Sequence, residues 1–297
     1  MISVIMSAYN EKESELRKSI ESIIHQTYRD LEIIIVDDNP NNIELKKILD
    51  SLTDERIKLI YNEKNLGLVN SLNKALSVAT GEYIARMDAD DISFPDRLEK
   101  QMQCLQERHL DLVGGWLVLI DDSEDDKVTR KYEFPSSTEG ITATIRFGSP
   151  IPHPTWLGRR EVFDTLNGYR NVRYCEDYDF VLRAAYHGFK LGNVPDYVLR
   201  YRIRSTSITN SNRNKQLLLS RYIGKNRNRI DDVTEEELNK YINSDNAVTE
   251  VGYLDRFDSV RADYLRGKNK WKNAIILVTN KYFWIRRYEM FMTKLHK

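Results

Sequence analysis

Apolar residues along this chain fall into two alternating rhythms. Residues 2–6 are an apolar run ending in Ser7-Ala8-Tyr9-Asn10, the pattern of a buried strand and its loop. Residues 11–27 carry Leu16, Ile20, Ile23 and Ile24 at helical spacing. Residues 31–36 form a second apolar run, closing on Asp37-Asp38-Asn39-Pro40. A helix over residues 42–53, a strand over Ile57–Tyr61, the Asn65-Leu66-Gly67 turn and a helix over residues 68–79 follow. Residues 83–87, after the Thr80-Gly81 break, read as a fourth buried strand. This strand–helix alternation predicts an α/β fold with a mainly parallel central sheet and helices on both faces.

The stretch from 81 to 98 organises the rest. Beyond its strand stand Asp88, Asp90 and Asp91, and then Ser93, Pro95 and Asp96, which suit a helix start with Ser93 as its cap. In an extended segment residues two apart face the same way, so Asp88 and Asp90 point together past the strand end. Oxygen-only ligands in low number suit a hard divalent cation, Mg²⁺ or Mn²⁺, that draws its other ligands from phosphates and water. The plainer alternative is an acidic loop that caps the next helix. A calcium loop fails at Ile92, which offers no oxygen, and at Ser93, where the turn needs Gly.

Three strands thus end in polar clusters, Ser7/Tyr9/Asn10, Asp37/Asp38 and Asp88/Asp90, and in a parallel sheet those ends share one edge. Tyr9 offers a flat face for a base, and Asp38 can accept from ring N–H groups. A cation at Asp90 would hold a diphosphate. Neither a Gly-x-Gly-x-x-Gly after the first strand nor a P-loop lysine is present, so the phosphates need that cation.

At 297 residues the chain accommodates one domain of about 200–250 residues plus an appendage. Its 41% hydrophobic and 30% charged residues indicate a soluble globular protein, and zero net charge argues against a nucleic-acid partner. Met1 leads straight into an apolar strand with no basic leader, and no run of about 18 apolar residues exists. Cys104 and Cys175 lack metal-ligand spacing, which fits a reducing cytoplasm. The zero charge hides an asymmetry: from Lys268 onward eight Lys or Arg stand against one acid, Glu289.

Ser7-Ala8-Tyr9-Asn10, Val36-Asp37-Asp38-Asn39, Asn65-Leu66-Gly67 with Asn73, and Ala85-Arg86-Met87-Asp88-Ala89-Asp90-Asp91 with Pro95-Asp96-Arg97-Leu98 together resemble family 2 glycosyltransferases of the GT-A (Rossmann-like) fold, over about residues 1–205. The resemblance implies an inverting, metal-dependent enzyme that takes a nucleotide sugar, most often a UDP-sugar, with Mn²⁺ or Mg²⁺ as cofactor. It places Ser7, Tyr9, Glu11 and Asp38 on the nucleoside, Asp88 on ribose or metal, and Asp90 on the metal. It implies a catalytic domain over 1–210, with a nucleotide-binding half (1–110) and an acceptor half (111–210), and a helical region over 211–297. The implied setting is bacterial capsule or other surface-polysaccharide assembly.

In the second half, Leu112–Ile120 reads as a strand, and the acidic run 121–126 as the solvated turn of a hairpin returning through 128–134. Pro150-Ile151-Pro152-His153-Pro154-Thr155 resembles the family's His-Pro segment beneath the acceptor sugar, which makes His153 an acceptor contact. Glu176-Asp177 opens a helix running to about 187 and resembles the family's catalytic pair, with Asp177 the base and Glu176 positioning the acceptor; Asp179 reads as a surface or capping residue. The Asp base suits the chemistry, since attack by a sugar hydroxyl needs a carboxylate to take its proton. Residues 199–207 resemble the segment that closes the catalytic region, but Arg204 stands where many relatives have a metal-binding His; a guanidinium clamps phosphate instead.

Helices are expected over 211–229, 234–243 (a Thr234 capping start) and 250–266. The basic, aromatic stretch from Lys272 fits a helix on its own domain or a partner subunit, or an interfacial helix on anionic lipid on the inner face of the membrane, as a lipid-linked saccharide acceptor would suit. Two other readings stand beside the transferase: a non-catalytic binding or scaffold protein, and a sugar-nucleotide pyrophosphorylase. The latter needs a basic Gly-rich loop that residues 7–11 lack.

Overall fold

The computed structural model of the chain describes residues 1–123, 125–172, 174–204, 212–266 and 268–295. The apolar runs become strands β1 (Ile2–Ala8), β2 (Leu31–Asp37), β3 (Ile57–Tyr61) and β4 (Tyr83–Arg86), all parallel, in the order β3-β2-β1-β4. Helices α1 (Glu13–Ile24), α2 (Ile43–Asp50) and α3 (Leu68–Val78) make the crossovers. Past β4 the sheet adds β8 (Leu157–Arg159), β6 (Leu112–Ile120), β9 (Leu191–Arg202) and β5 (Ile92–Ser93), with β7 (Val128–Tyr132) on β6. β6 and β9 are again parallel, so most paired residues of the sheet are parallel partners.

Alternation along each strand sorts side chains between two cores. Ile33 and Ile35 of β2 pack with Leu16 and Ile20 of α1 and with Leu98 and Leu105 of α4 (Arg97–Glu107). Ile34 and Val36 face the other way, toward Leu72 of α3, Val162 of α6 (Arg160–Thr165) and Phe180 of α7 (Glu176–Tyr186). Helices therefore cover both faces.

The expected helix start at Ser93 is corrected. Ile92–Ser93 is strand β5, paired with Arg200 and Leu199, and the Phe94 amide donates to the Val198 carbonyl at 3.0 Å. Pairing with β9 keeps the chain extended to Phe94, Pro95 and Asp96 turn, and α4 begins at Arg97; Asp96 occupies the cap position without a side-chain capping bond. The acidic turn is also more than a solvated loop: Asp126 is half-buried between Lys18 and Arg202, 2.6 Å from each, and Asp122 meets Lys12 at 2.9 Å.

A short helix α5 (Thr138–Thr144) lies in the second half. The C-terminal region forms α8 (Arg213–Lys225), α9 (Glu235–Ile242), α10 (Asp245–Leu265), α11 (Lys270–Thr279) and α12 (Lys281–Leu295). Thr234 caps α9 as expected, accepting from the Glu237 amide at 3.1 Å. Ser244 caps α10 in the same way, so that helix starts ahead of the expected 250. Leu219, Ile223, Ile230, Val233 and Leu238 join the core beneath α7, so packing continues across residue 210. Leu218, Leu254, Phe257, Leu277 and Tyr282 form a separate small core. Among the described residues no helix is long and apolar enough to cross a membrane.

Candidate active site

The tips of β1 and β2 are tied together by the Asp38 amide, which donates to the Ala8 carbonyl at 2.9 Å. Tyr9 lies exposed just beyond, and its amide donates to Glu11 Oε2 at 2.7 Å, so Glu11 folds this loop. Burial raises the Glu11 carboxyl pKa. Ser7 sits half-buried in β1, level with Val36. Asp38 is buried and accepts from Asn62 Nδ2 (2.8 Å) and from the amides of Leu66 (2.7 Å) and Gly67 (2.9 Å). A carboxylate has about four acceptor sites. Asp38 therefore shapes the Asn65-Leu66-Gly67 turn and keeps about one site for a ligand. Asn73 has a similar duty: its side chain donates to the Tyr169 carbonyl and accepts from the Tyr169 amide, both at 2.9 Å, pinning the loop at Tyr169 to α3.

At the tip of β4 one oxygen from each of Asp88, Asp90 and Asp91 lies within 4.8 Å of the others. Burial, then Asp88, then Glu11 and Glu15 push the Asp90 carboxyl up to about 7 against the pull of Arg204. Asp91 is fully buried and raised further, first by burial and then by its two neighbours. Two basic side chains answer these acids. Arg204 pairs with Glu15 and lies 3.1 Å from Asp90 Oδ2. Arg86, only 3% exposed, pairs with Asp88, while its Nε and Nη1 have no hydrogen-bond partner. The end of β9 holds the loop: the Arg202 amide donates to Asp91 Oδ1 at 2.8 Å and its Nε to the Asp90 carbonyl at 2.9 Å.

Glu176 and Asp177 occupy the first turn of α7, half-buried, where the helix dipole favours anions. Burial and then Asp177 push the Glu176 carboxyl up to about 7, and Arg86 pulls it back. Burial raises Asp177 too, opposed by the Tyr178 amide and Arg86. Arg86 thus acts on both members of the α7 pair and Asp88 on Glu176, so the strand-tip acids and the helix-start acids lie within electrostatic reach of one buried guanidinium.

One expectation is corrected here. Asp179 is neither a surface nor a capping residue: it is fully buried between Arg170 and Arg183. Those guanidiniums also donate to the carbonyls of Val233, Ile230, Leu166 and Gly168, so Asp179 ties residues 166–170 and 230–233 to α7. His153 is buried. It packs among Trp156 and Tyr169 with Nε2 3.0 Å from the Tyr169 hydroxyl, and burial, helped by Arg86, holds its pKa well below the usual value, so it is neutral. Arg204, read as a phosphate clamp, already sits on Asp90 and Glu15. Ser205 to Ser207 of the closing segment lie outside the described residues.

The donor set fits a divalent cation. Carboxylate oxygens suit Mg²⁺ or Mn²⁺, and Asp91 Oδ2 is buried without a hydrogen-bond partner, an orphan that a cation would satisfy. Sequence reasoning left three participants without roles: Arg86, Asp91 and Glu15. A charged residue in an otherwise apolar strand was the available signal for Arg86, because a buried charge demands a partner.

The sequence model of Glycosyl transferase family 2 matches residues 3–166. The chain is 36% identical over 228 residues to the uncharacterized glycosyltransferase MJ1057 of Methanocaldococcus jannaschii, covering 75% of this chain and 77% of that one. It is 41% identical over 213 residues to the putative glycosyltransferase EpsE of Bacillus subtilis (69% and 73%). It is 33% identical over 210 residues to the amylovoran biosynthesis glycosyltransferase AmsE of Erwinia amylovora (70% and 78%). In fold it is similar to the mannosyltransferase PcManGT of Pyrobaculum calidifontis, solved with GDP-Man and Mn²⁺ (TM-score 0.60, 19% identity, covering 98% and 83%). It is also similar to TarS of S. aureus, solved with UDP-GlcNAc (TM-score 0.58, 18% identity, 81% and 72%). The fold is accordingly GT-A, and with a family match over more than half its length the chain belongs to glycosyl transferase family 2 and is a glycosyltransferase.

Proposed function

We propose that the protein moves a sugar from a nucleoside diphosphate donor, UDP first among the candidates, to a hydroxyl of a lipid-linked saccharide, with inversion and with a divalent cation, in the assembly of a polysaccharide. The observation that carries this reading is the cluster Asp88/Asp90/Asp91 at the tip of β4, together with a buried guanidinium, Arg86, that pairs with Asp88 and whose charge also reaches Glu176 and Asp177. The relative named for amylovoran biosynthesis supports the polysaccharide setting. UDP-GlcNAc and GDP-Man in structures of the same fold support a nucleotide-sugar donor and leave the base to experiment.

In this mechanism Tyr9 and Asp38 receive the nucleoside at the tips of β1 and β2. Asp90, with Asp88 and Asp91, would hold Mn²⁺ or Mg²⁺, whose charge neutralises the leaving diphosphate. Asp177 takes the proton of the acceptor hydroxyl as that oxygen attacks the anomeric carbon; the carbon–phosphate oxygen bond breaks on the opposite side, and a single displacement inverts the centre. The transition state resembles the oxocarbenium ion of glycoside hydrolysis. Glu176 positions the acceptor, and Arg86 offsets the pair's pKa rise so that Asp177 can work ionised.

Hydrolysis of a panel of UDP-, GDP- and dTDP-sugars, with and without Mn²⁺, tests this. One donor should turn over, and only with the cation. Equal inertness of every donor, or turnover indifferent to Mn²⁺ and to Asp90→Asn, overturns the reading.

A further inference from the structure

We infer that α11 and α12 form a docking surface for an anionic lipid bilayer. In α11, Trp271, Ile275 and Val278 recur at i, i+4 and i+7 and are 87%, 62% and 46% exposed; Asn273 and Leu277 face inward. In α12, Trp284, Tyr288 and Phe291 repeat that spacing at 59%, 52% and 58% exposure, while Tyr282 is buried in the small core. The stripes meet where the Trp284 indole N–H donates to the Val278 carbonyl at 2.7 Å. So large a contiguous apolar surface is uncommon on a monomer that meets only water.

The surrounding charge decides what covers it. Lys270, Lys272, Arg287 and Lys294 are exposed along the same two helices, and the last thirty residues hold eight Lys or Arg against one acid. Lys281 and Lys268 are partly answered, by Glu250 at 2.7 Å and Asp263 at 3.9 Å. A twofold dimer would press this patch against its own copy, cation against cation. Lysine is also depleted at protein interfaces. Anionic headgroups supply the missing charge, at about 1 kcal/mol per Lys or Arg, and Trp and Tyr settle at the headgroup level.

Placement agrees with use. The Tyr288 ring stands edge-on to Phe147, centroids 6.0 Å apart, and two residues before Phe147 the Ile145 carbonyl accepts from the Tyr178 hydroxyl at 2.7 Å. Tyr178 follows Asp177, so a short run of contacts links the docking face to the start of α7. Only the use of this last link rests on the lipid-linked acceptor proposed above.

The test uses the full chain with phosphatidylcholine vesicles, with and without phosphatidylglycerol, read by co-sedimentation and tryptophan emission. Binding to the anionic vesicles alone, with a blue shift, is expected, and high salt should abolish it. Lys270→Gln with Lys272→Gln should weaken it about thirtyfold. Trp271→Ser, at a side chain open to water, should weaken it about tenfold. No sedimentation with anionic vesicles, or unchanged binding by the lysine variant, overturns the inference. A dimer in lipid-free buffer that Trp271→Ser dissociates overturns it too, by giving the face to a second copy. Donor hydrolysis needs no vesicles, so failure here and failure of the transferase mechanism are read separately.

Discussion

The acids at the tip of β4 and the acids at the start of α7 are alike in kind and differ in company. Both groups are driven up by burial, Asp90 and Glu176 each to about 7. The β4 group holds three carboxylates within 4.8 Å of one another, answered by Arg86 and Arg204. Among the described residues no ion pair joins a guanidinium to the α7 pair; helix amides and the charge of Arg86 restrain it. The first arrangement suits a cation, since so many crowded carboxylates cannot all ionise without one. The second suits a base that must take up a proton and return it. Counter-charge, more than residue type, separates holder from base.

The largest effect should come from the base. Asp177→Asn should lower kcat about a thousandfold while UDP binding by calorimetry stays within a few-fold; normal turnover would refute the division of labour. Asp90→Asn should give the opposite pattern, with Mn²⁺ dependence and donor affinity lost together.

Next comes the residue both groups share. Arg86→Met leaves Asp88 without its partner and should cost about 3 kcal/mol in denaturant unfolding, as removing one member of a buried pair does. Because Arg86 lowers the Asp177 pKa, its loss should also move the acid limb of the pH–rate profile upward. An unmoved limb would mean that Arg86 serves the strand-tip acids alone.

A smaller effect is the cation's own. A carboxyl raised to about 7 keeps in the folded state a proton that the unfolded chain has released. Stability therefore falls as pH rises through about 7, and a bound cation restores it. At a hundred times Kd, Mn²⁺ should add about 2.7 kcal/mol. The rise in Tm should be larger at pH 8 than at pH 6, where protons compete for Asp90; an equal rise would place the cation elsewhere. Smallest is Arg204→Gln, which removes a competitor from Asp90 and should tighten Mn²⁺ binding by about tenfold at most, an exposed ion pair being worth about 1 kcal/mol or less. Weaker Mn²⁺ binding would show that Arg204 supports the cation instead.

Local pattern alone places much of this molecule. Leu112–Ile120 and Ile57–Tyr61 are strands at their expected bounds, and α7 begins at Glu176, because short apolar periods and a helix start rich in acid act over a few residues. Ser93 and Asp179 escape that logic. Ser93 suits a cap but lies in a strand, since β9, over a hundred positions later, offers it backbone partners. Asp179 looks like a dipole complement, yet the fold closes two guanidiniums over it. His153 resembles an acceptor contact, and the aromatic rings it packs against come from the tertiary fold.

By itself the sequence determined the alternating sheet and the row of polar residues at its strand ends, because side-chain period and chain direction are local properties. Tertiary structure decided which cation answers which acid: Arg204 meets Glu15 across 189 positions, and Arg86 pairs with Asp88 while its charge also reaches Glu176 and Asp177 of α7. Such pairings depend on how far apart folded elements come to rest, and charge acts through that distance rather than along the chain.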